Sequence, residues 1–163
     1  MDDSQTETRI FTREEVAYMR RLFRQMVEGQ GVSLYVADPG MTSRRVTVTA
    51  LKRAGFEDVY ESDSFAEALQ AAQTEAAPLA IAIVDDTCAT RGLDECLTFL
   101  RRFRQTVPQG AALLTGSRLT PDQATQAVEA GALAFFRRPL EMNSLIARVR
   151  EVCVKNKKNI GGK

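Results

Sequence analysis

The run Ala80-Ile81-Ala82-Ile83-Val84 ends abruptly in two carboxylates, Asp85 and Asp86. A short apolar stretch of this kind reads as a buried strand, and in open α/β sheets ligands gather at the carboxyl ends of the strands. An acid emerging there is aimed at a site, unless it merely caps the loop. A second run, Val32-Ser33-Leu34-Tyr35-Val36-Ala37, ends in Asp38, and a third, Ala111-Ala112-Leu113-Leu114, ends in Thr115. A fourth, Leu133-Ala134-Phe135-Phe136, leads into Arg137-Arg138-Pro139, which adds fixed positive charge. One rim then carries acid, acid, hydroxyl and cation.

That ordered set resembles the receiver domain of two-component response regulators, the CheY-like family, over residues 32–152. Further matches are Arg44 after Val36-Ala37-Asp38, the stretch Ser64-Phe65-Ala66-Glu67-Ala68-Leu69, Gly92-Leu93, and Ala130-Gly131-Ala132. The resemblance implies that Asp85 is the phosphoacceptor, Asp38 the first of a pair of metal-binding acids, Thr115 the switch hydroxyl, and Phe135 the aromatic reporter. Arg138 stands where the family has lysine. The implied chemistry is phosphoryl transfer to a carboxylate: Asp85 attacks phosphorus delivered by a histidine kinase or phosphotransfer protein. The charge on the transferred oxygens is offset by a cation and by Mg2+, which Asp38, Asp85 and the Thr87 carbonyl would hold. The output is binding to a downstream protein, since such switches shift populations between surfaces of different affinity. The chain is therefore not expected to be an enzyme.

Three departures from the family pattern bear on the same reaction. Pro39 replaces the second acid, which weakens a magnesium site that depends on hard carboxylate oxygens. Arg138 is a planar fork and not a point charge. The loop between Asp85 and Gly92 is a residue shorter than usual and lacks Met-Pro. Asp86 is the candidate to supply the missing carboxylate, and arginine itself binds phosphate well. Two modes stay open: a phosphorylated switch, or a pseudo-receiver in which Arg138 pairs with Asp85 and fixes one conformation without phosphate.

Composition narrows the class. The 163 residues fit one domain with extensions, and 22 basic against 21 acidic residues leave no long-range field for nucleic acid or an anionic membrane. Histidine is absent, which excludes a Ser-His-Asp hydrolase and the commonest zinc ligand. No stretch is apolar enough to span a bilayer and no signal peptide pattern appears, so a cytoplasmic location is expected. Cys88, Cys96 and Cys153 are odd in number and scattered, as for reduced thiols; Cys88 follows Asp85 without a neighbouring base. No Gly-rich nucleotide fingerprint is present.

Apolar runs alternate with amphipathic stretches, which predicts a doubly wound five-stranded parallel α/β sheet of five βα units; the family order is 2-1-3-4-5. Residues 44–54 read as a helix with Val46, Leu51 and Ala54 inward and Gly55 as its stop. Asp58-Val59-Tyr60-Glu61 is a short strand, and Ser64 with Glu67 makes a capping box ahead of Ala68, Leu69 and Ala72. Pro78 closes the connection into the acid-bearing strand. Helices are also expected over 93–104 through Leu93, Cys96, Leu97 and Leu100, from Thr120-Pro121 onward, and over 143–154 through Leu145, Ile146, Val149 and Val152.

Three segments result: an extension, 1–30; a receiver-like domain, 31–154; and a basic flexible tail, 155–163. In the extension, Thr12 with Glu15 forms a capping box and Phe11 with Val16 a hydrophobic staple, which signposts a helix over 13–28. Its stripe of Val16, Met19, Leu22, Phe23 and Met26 either packs on its own domain, seams a homodimer or docks a partner; Arg13, Arg20, Arg21 and Arg24 lie elsewhere on it. No DNA-binding domain is recognised, so action through protein contact is expected. An alternative of another class is a cyclic dinucleotide clamped by Arg44-Arg45, Arg137-Arg138 or the group Arg101, Arg102 and Arg104.

Overall fold

β3 (Leu79–Asp85) is buried along its whole length, as a strand flanked on both edges and covered on both faces must be. In the computed structural model, which describes residues 10–19, 31–74, 79–107 and 109–161 with side chains to 156, it is the middle of a five-stranded sheet. The chain runs β1 (Val32–Ala37), α1 (Met41–Arg53), β2 (Asp58–Ser62), α2 (Phe65–Thr74), β3, a single 3-10 turn (Asp86–Cys88), α3 (Leu93–Thr106), β4 (Gly110–Gly116), α4 (Pro121–Ala130), β5 (Ala132–Arg137) and α5 (Met142–Gly161). The order is β2-β1-β3-β4-β5 with every pairing parallel.

Side-chain alternation along the strands builds two cores. Leu34, Val36, Ile81, Ile83 and Phe136 face α1 and α5, where Leu51, Leu145 and Val149 meet them. On the opposite face the strands present Tyr35, Val84, Leu114 and Phe135 among the small residues Ala37, Ala80, Ala82 and Ala112, and α2 and α3 add aromatic bulk. Phe65 of α2 stacks on Phe99 of α3 at 4.8 Å between centroids, and Phe99 lies 5.7 Å from Phe103.

The predicted punctuation operates as chemistry. Gly55, at φ 109°, ends α1: its N–H donates to Lys52 O, while the Phe56 N–H reaches Leu51 O. That is a Schellman cap, and Phe56 buries beside Leu51 as such caps favour. α4 starts with a complete capping box between Thr120 and Gln123. At α2 the box is half formed, because Ser64 Oγ accepts from Glu67 N while the Glu67 carboxylate takes the N–H of Asp63.

Two expectations are corrected. Val46 is 56% exposed, and the inward arc of α1 is Thr47, Val48 and Leu51, whose spacing of three and four residues makes one face. Val48→Ala is therefore expected to cost about 2 kcal/mol, against under about 0.5 kcal/mol for Val46→Ala, measured by urea unfolding. The last helix runs to Gly161, beyond its expected end at residue 154, and Lys155 lies 3.8 Å from Glu151 one turn back. The extension begins a helix at residue 13 with the expected box, Thr12 N to Glu15 Oε1 at 2.9 Å and Glu15 N to Thr12 Oγ1 at 3.0 Å. Val16 and Met19 are half-buried there. Arg20, Arg21, Arg24, Leu22, Phe23, Met26 and Pro78 lie outside the described residues.

Candidate functional site

Four strand ends converge on one rim. Asp85 closes β3 directly opposite Thr115 of β4 in the sheet register. Asp38 follows β1 and is held by its N–H to Ser62 O, and Arg138 follows β5 and is held by its N–H to Gly116 O, each at 3.0 Å. Because β3 lies between β1 and β4, the end of the central strand is the meeting point of all four groups.

Arg138 binds both acids at once. Its Nε donates to Asp85 Oδ1 at 2.7 Å and its Nη2 to Asp38 Oδ2 at 3.1 Å, with the acid side chains 4% and 6% exposed. Thr115 Oγ1 donates to the same Asp85 Oδ1 at 2.7 Å. The other oxygen, Oδ2, accepts from Thr87 N at 3.2 Å and from Thr87 Oγ1 at 2.5 Å. A carboxylate offers about four acceptor positions, so those of Asp85 are filled. On Asp38, Oδ1 accepts from Gly40 N at 2.8 Å, and Oδ2 from Ser43 Oγ as well as from Arg138.

Burial raises the proton affinity of Asp85, but hydrogen bonds from Thr87, Arg138 and Thr115, with the Arg138 charge, outweigh it and hold its carboxyl below the ordinary value of 3.8. Asp86 goes the other way: burial and the Asp85 charge push its carboxyl up, against the amides of Arg118 and Leu119. Asp86 thus does not take the role of the missing acid. Its Oδ2 is committed to the N–H groups of Arg118 and Leu119, at 2.9 and 3.2 Å.

These residues do not fit a divalent cation alongside Arg138. The facing oxygens of Asp38 and Asp85 are both engaged by the guanidinium, Pro39 brings no side-chain ligand, and no group of three acidic, histidine or cysteine residues gathers among those described. Magnesium held on so few carboxylates would have to displace a bidentate arginine.

The remaining candidates have other employment. Arg44 Nη1 donates to Asp38 O at 2.8 Å and its Nε to Glu61 at 3.0 Å, while Arg45 lies 3.6 Å from Glu61, so this pair is no free clamp. Arg137 donates to Leu119 O at 2.9 Å and stacks over Phe135, itself buried. Arg101, Arg102 and Arg104 are simply exposed. All three cysteines are free and buried, and burial pushes each thiol up to about 12, so Cys88 is not a thiolate. Sequence reasoning missed Ser43, whose signal was a hydroxyl in the first turn of the helix that follows Asp38, and it assigned Thr87 by its carbonyl when its hydroxyl and amide hold Asp85.

No protein-family model and no curated protein matches the chain by sequence. Solved structures do match. A CheY-like response regulator receiver domain protein from Methanospirillum hungatei superposes with TM-score 0.68 at 17% identity, over 78% of this chain and 97% of that one. A response regulator from Thermotoga maritima gives 0.64 at 23% identity, over 76% and 98%. A response regulator from Burkholderia pseudomallei, solved with a phosphorylated aspartic acid, calcium ion and citrate, gives 0.61 at 22% identity, over 80% and 71%. Among the described residues no helix is long and apolar enough to cross a membrane. With its strand order and with acid, hydroxyl and arginine gathered at the end of its central strand, the chain has the fold of the response-regulator receiver domains.

Proposed function

We propose that the chain is a receiver-type signalling module that acts by contact with another protein and turns over no external substrate, and whose rim is closed by Arg138 in place of a phosphoryl group. The observation that carries this reading is the bridge from Arg138 to both Asp85 and Asp38. A nucleophilic carboxylate needs an oxygen free to approach phosphorus, and the acceptor positions of Asp85 are occupied. The arginine fork also neutralises the two acids that would otherwise attract a cation. A histidine kinase is then dispensable, and the partner that matters is the downstream protein.

The test is 19F NMR with beryllofluoride and Mg2+, which form a stable phosphoryl mimic and so avoid loss of the adduct by hydrolysis. The wild-type protein is expected to show no bound fluorine signal, whereas Arg138→Lys combined with Pro39→Asp, which supplies a point charge and the second acid, is expected to show one. A bound signal on the wild type that disappears in Asp85→Ala overturns the reading.

A further inference from the structure

We propose that Asp86 is a built-in anion that fixes the loop between β4 and α4, so that the chain itself holds α4 in one position. The loop, 117–119, joins the end of β4 to the N-cap of α4 and contains no regular structure. Its amides find their partner on another strand: Asp86, the residue after β3, is 1% exposed and accepts from the N–H groups of both Arg118 and Leu119 through Oδ2. Burying a carboxylate is costly, the more so here because its Oδ1 has no hydrogen-bond partner among the described residues. Two charge-assisted bonds to the loop are what the group returns.

Three further contacts close the same loop. Arg137 donates through Nη2 to Leu119 O at 2.9 Å, which ties the end of β5 to the loop carbonyl. The Arg138 N–H donates to Gly116 O at 3.0 Å. Gly116 itself leaves the space that the carboxylate fills, since a Cβ built on it would lie 2.1 Å from the Asp86 carboxyl carbon. The consecutive acids and consecutive arginines therefore divide the work. Asp85 pairs with Arg138 across the rim, while Asp86 takes the loop amides and Arg137 the loop carbonyl.

These contacts involve no atom of the Asp85 carboxylate, so the proposal stands apart from the reading of the rim. It is tested by amide hydrogen exchange followed by NMR on the full chain. In the wild type the Arg118 and Leu119 amides are expected to exchange about a hundredfold slower than in an unstructured peptide. Asp86→Ala is expected to release both by about tenfold or more, and Asp85→Asn to leave them within about twofold. Should the alanine variant fail to fold, Asp86→Ser, whose hydroxyl is too short to reach both amides, carries the same expectation. Wild-type amides at unstructured rates, no release in the Asp86 variant, or equal release by Asp85→Asn overturn the proposal. A beryllofluoride adduct on the wild type with these amides still protected would instead sink the reading of the rim and leave this one in place.

Discussion

Replacing Arg138 with alanine is expected to destabilise the domain by about 3 kcal/mol at neutral pH, because it strands two buried carboxylates without their cation. The figure measures the stranded acids and not the net value of the bridge. Accordingly, Arg138→Met combined with Asp38→Asn and Asp85→Asn is expected to recover most of the loss, since replacing a whole buried ionic group is often close to neutral. The pH dependence has a definite sign. The Asp85 carboxyl lies below its ordinary value of 3.8 in the folded protein, so its contribution is complete above that value and is lost as the pH falls through the lowered one. Part of the lowering comes from Arg138. The gap between Arg138→Ala and wild type should therefore narrow as the pH falls below 3.8, read by urea unfolding at several pH values. A gap that is constant or widens in acid would contradict the assignment.

Gly116→Ala is the second large effect, at about 3 kcal/mol or more, from backbone strain and from displaced charge-assisted hydrogen bonds together. Gly116 has φ 152°, a conformation side-chain-bearing residues rarely adopt, and the new methyl would meet the Asp86 carboxyl at 2.1 to 2.3 Å. Removing the obstacle separates the two causes. In Gly116→Ala with Asp86→Ala the clash is gone and the strain remains, so the double variant should be more stable than the sum of the singles predicts. Additive losses would mean that the carboxylate and Gly116 do not compete for the same space.

The fold was legible because strands and helices here obey their periods. The unbroken apolar run of β3 announced a strand covered on both faces, and the Thr120-Pro121 start and the Gly55 stop marked helix ends by their backbone chemistry. Convergence of Asp38, Asp85, Thr115 and Arg138 followed from four strand ends on one rim. Which oxygens the Arg138 fork would take was not legible, since the contact to Asp38 joins residues 100 apart in sequence and depends on the finished sheet. Asp86 was a candidate for the missing second acid, and its contacts to Arg118 and Leu119 were not legible. The chain leaves β3 for the 3-10 turn at Asp86, and the carboxylate there meets the loop after β4. Val46 was misplaced: its side chain lies off the arc that Thr47, Val48 and Leu51 define.

The most direct measurement is an Mg2+ titration of the wild-type protein followed by NMR at the side-chain carboxyl carbons of Asp38 and Asp85 and at the Arg138 Nε–H. With the guanidinium bridging both acids, the Nε–H resonance should stay hydrogen-bonded and both carboxyl signals should stay in place at millimolar Mg2+. Saturable movement of both carboxyl signals, with release of the Arg138 Nε–H, would contradict the account.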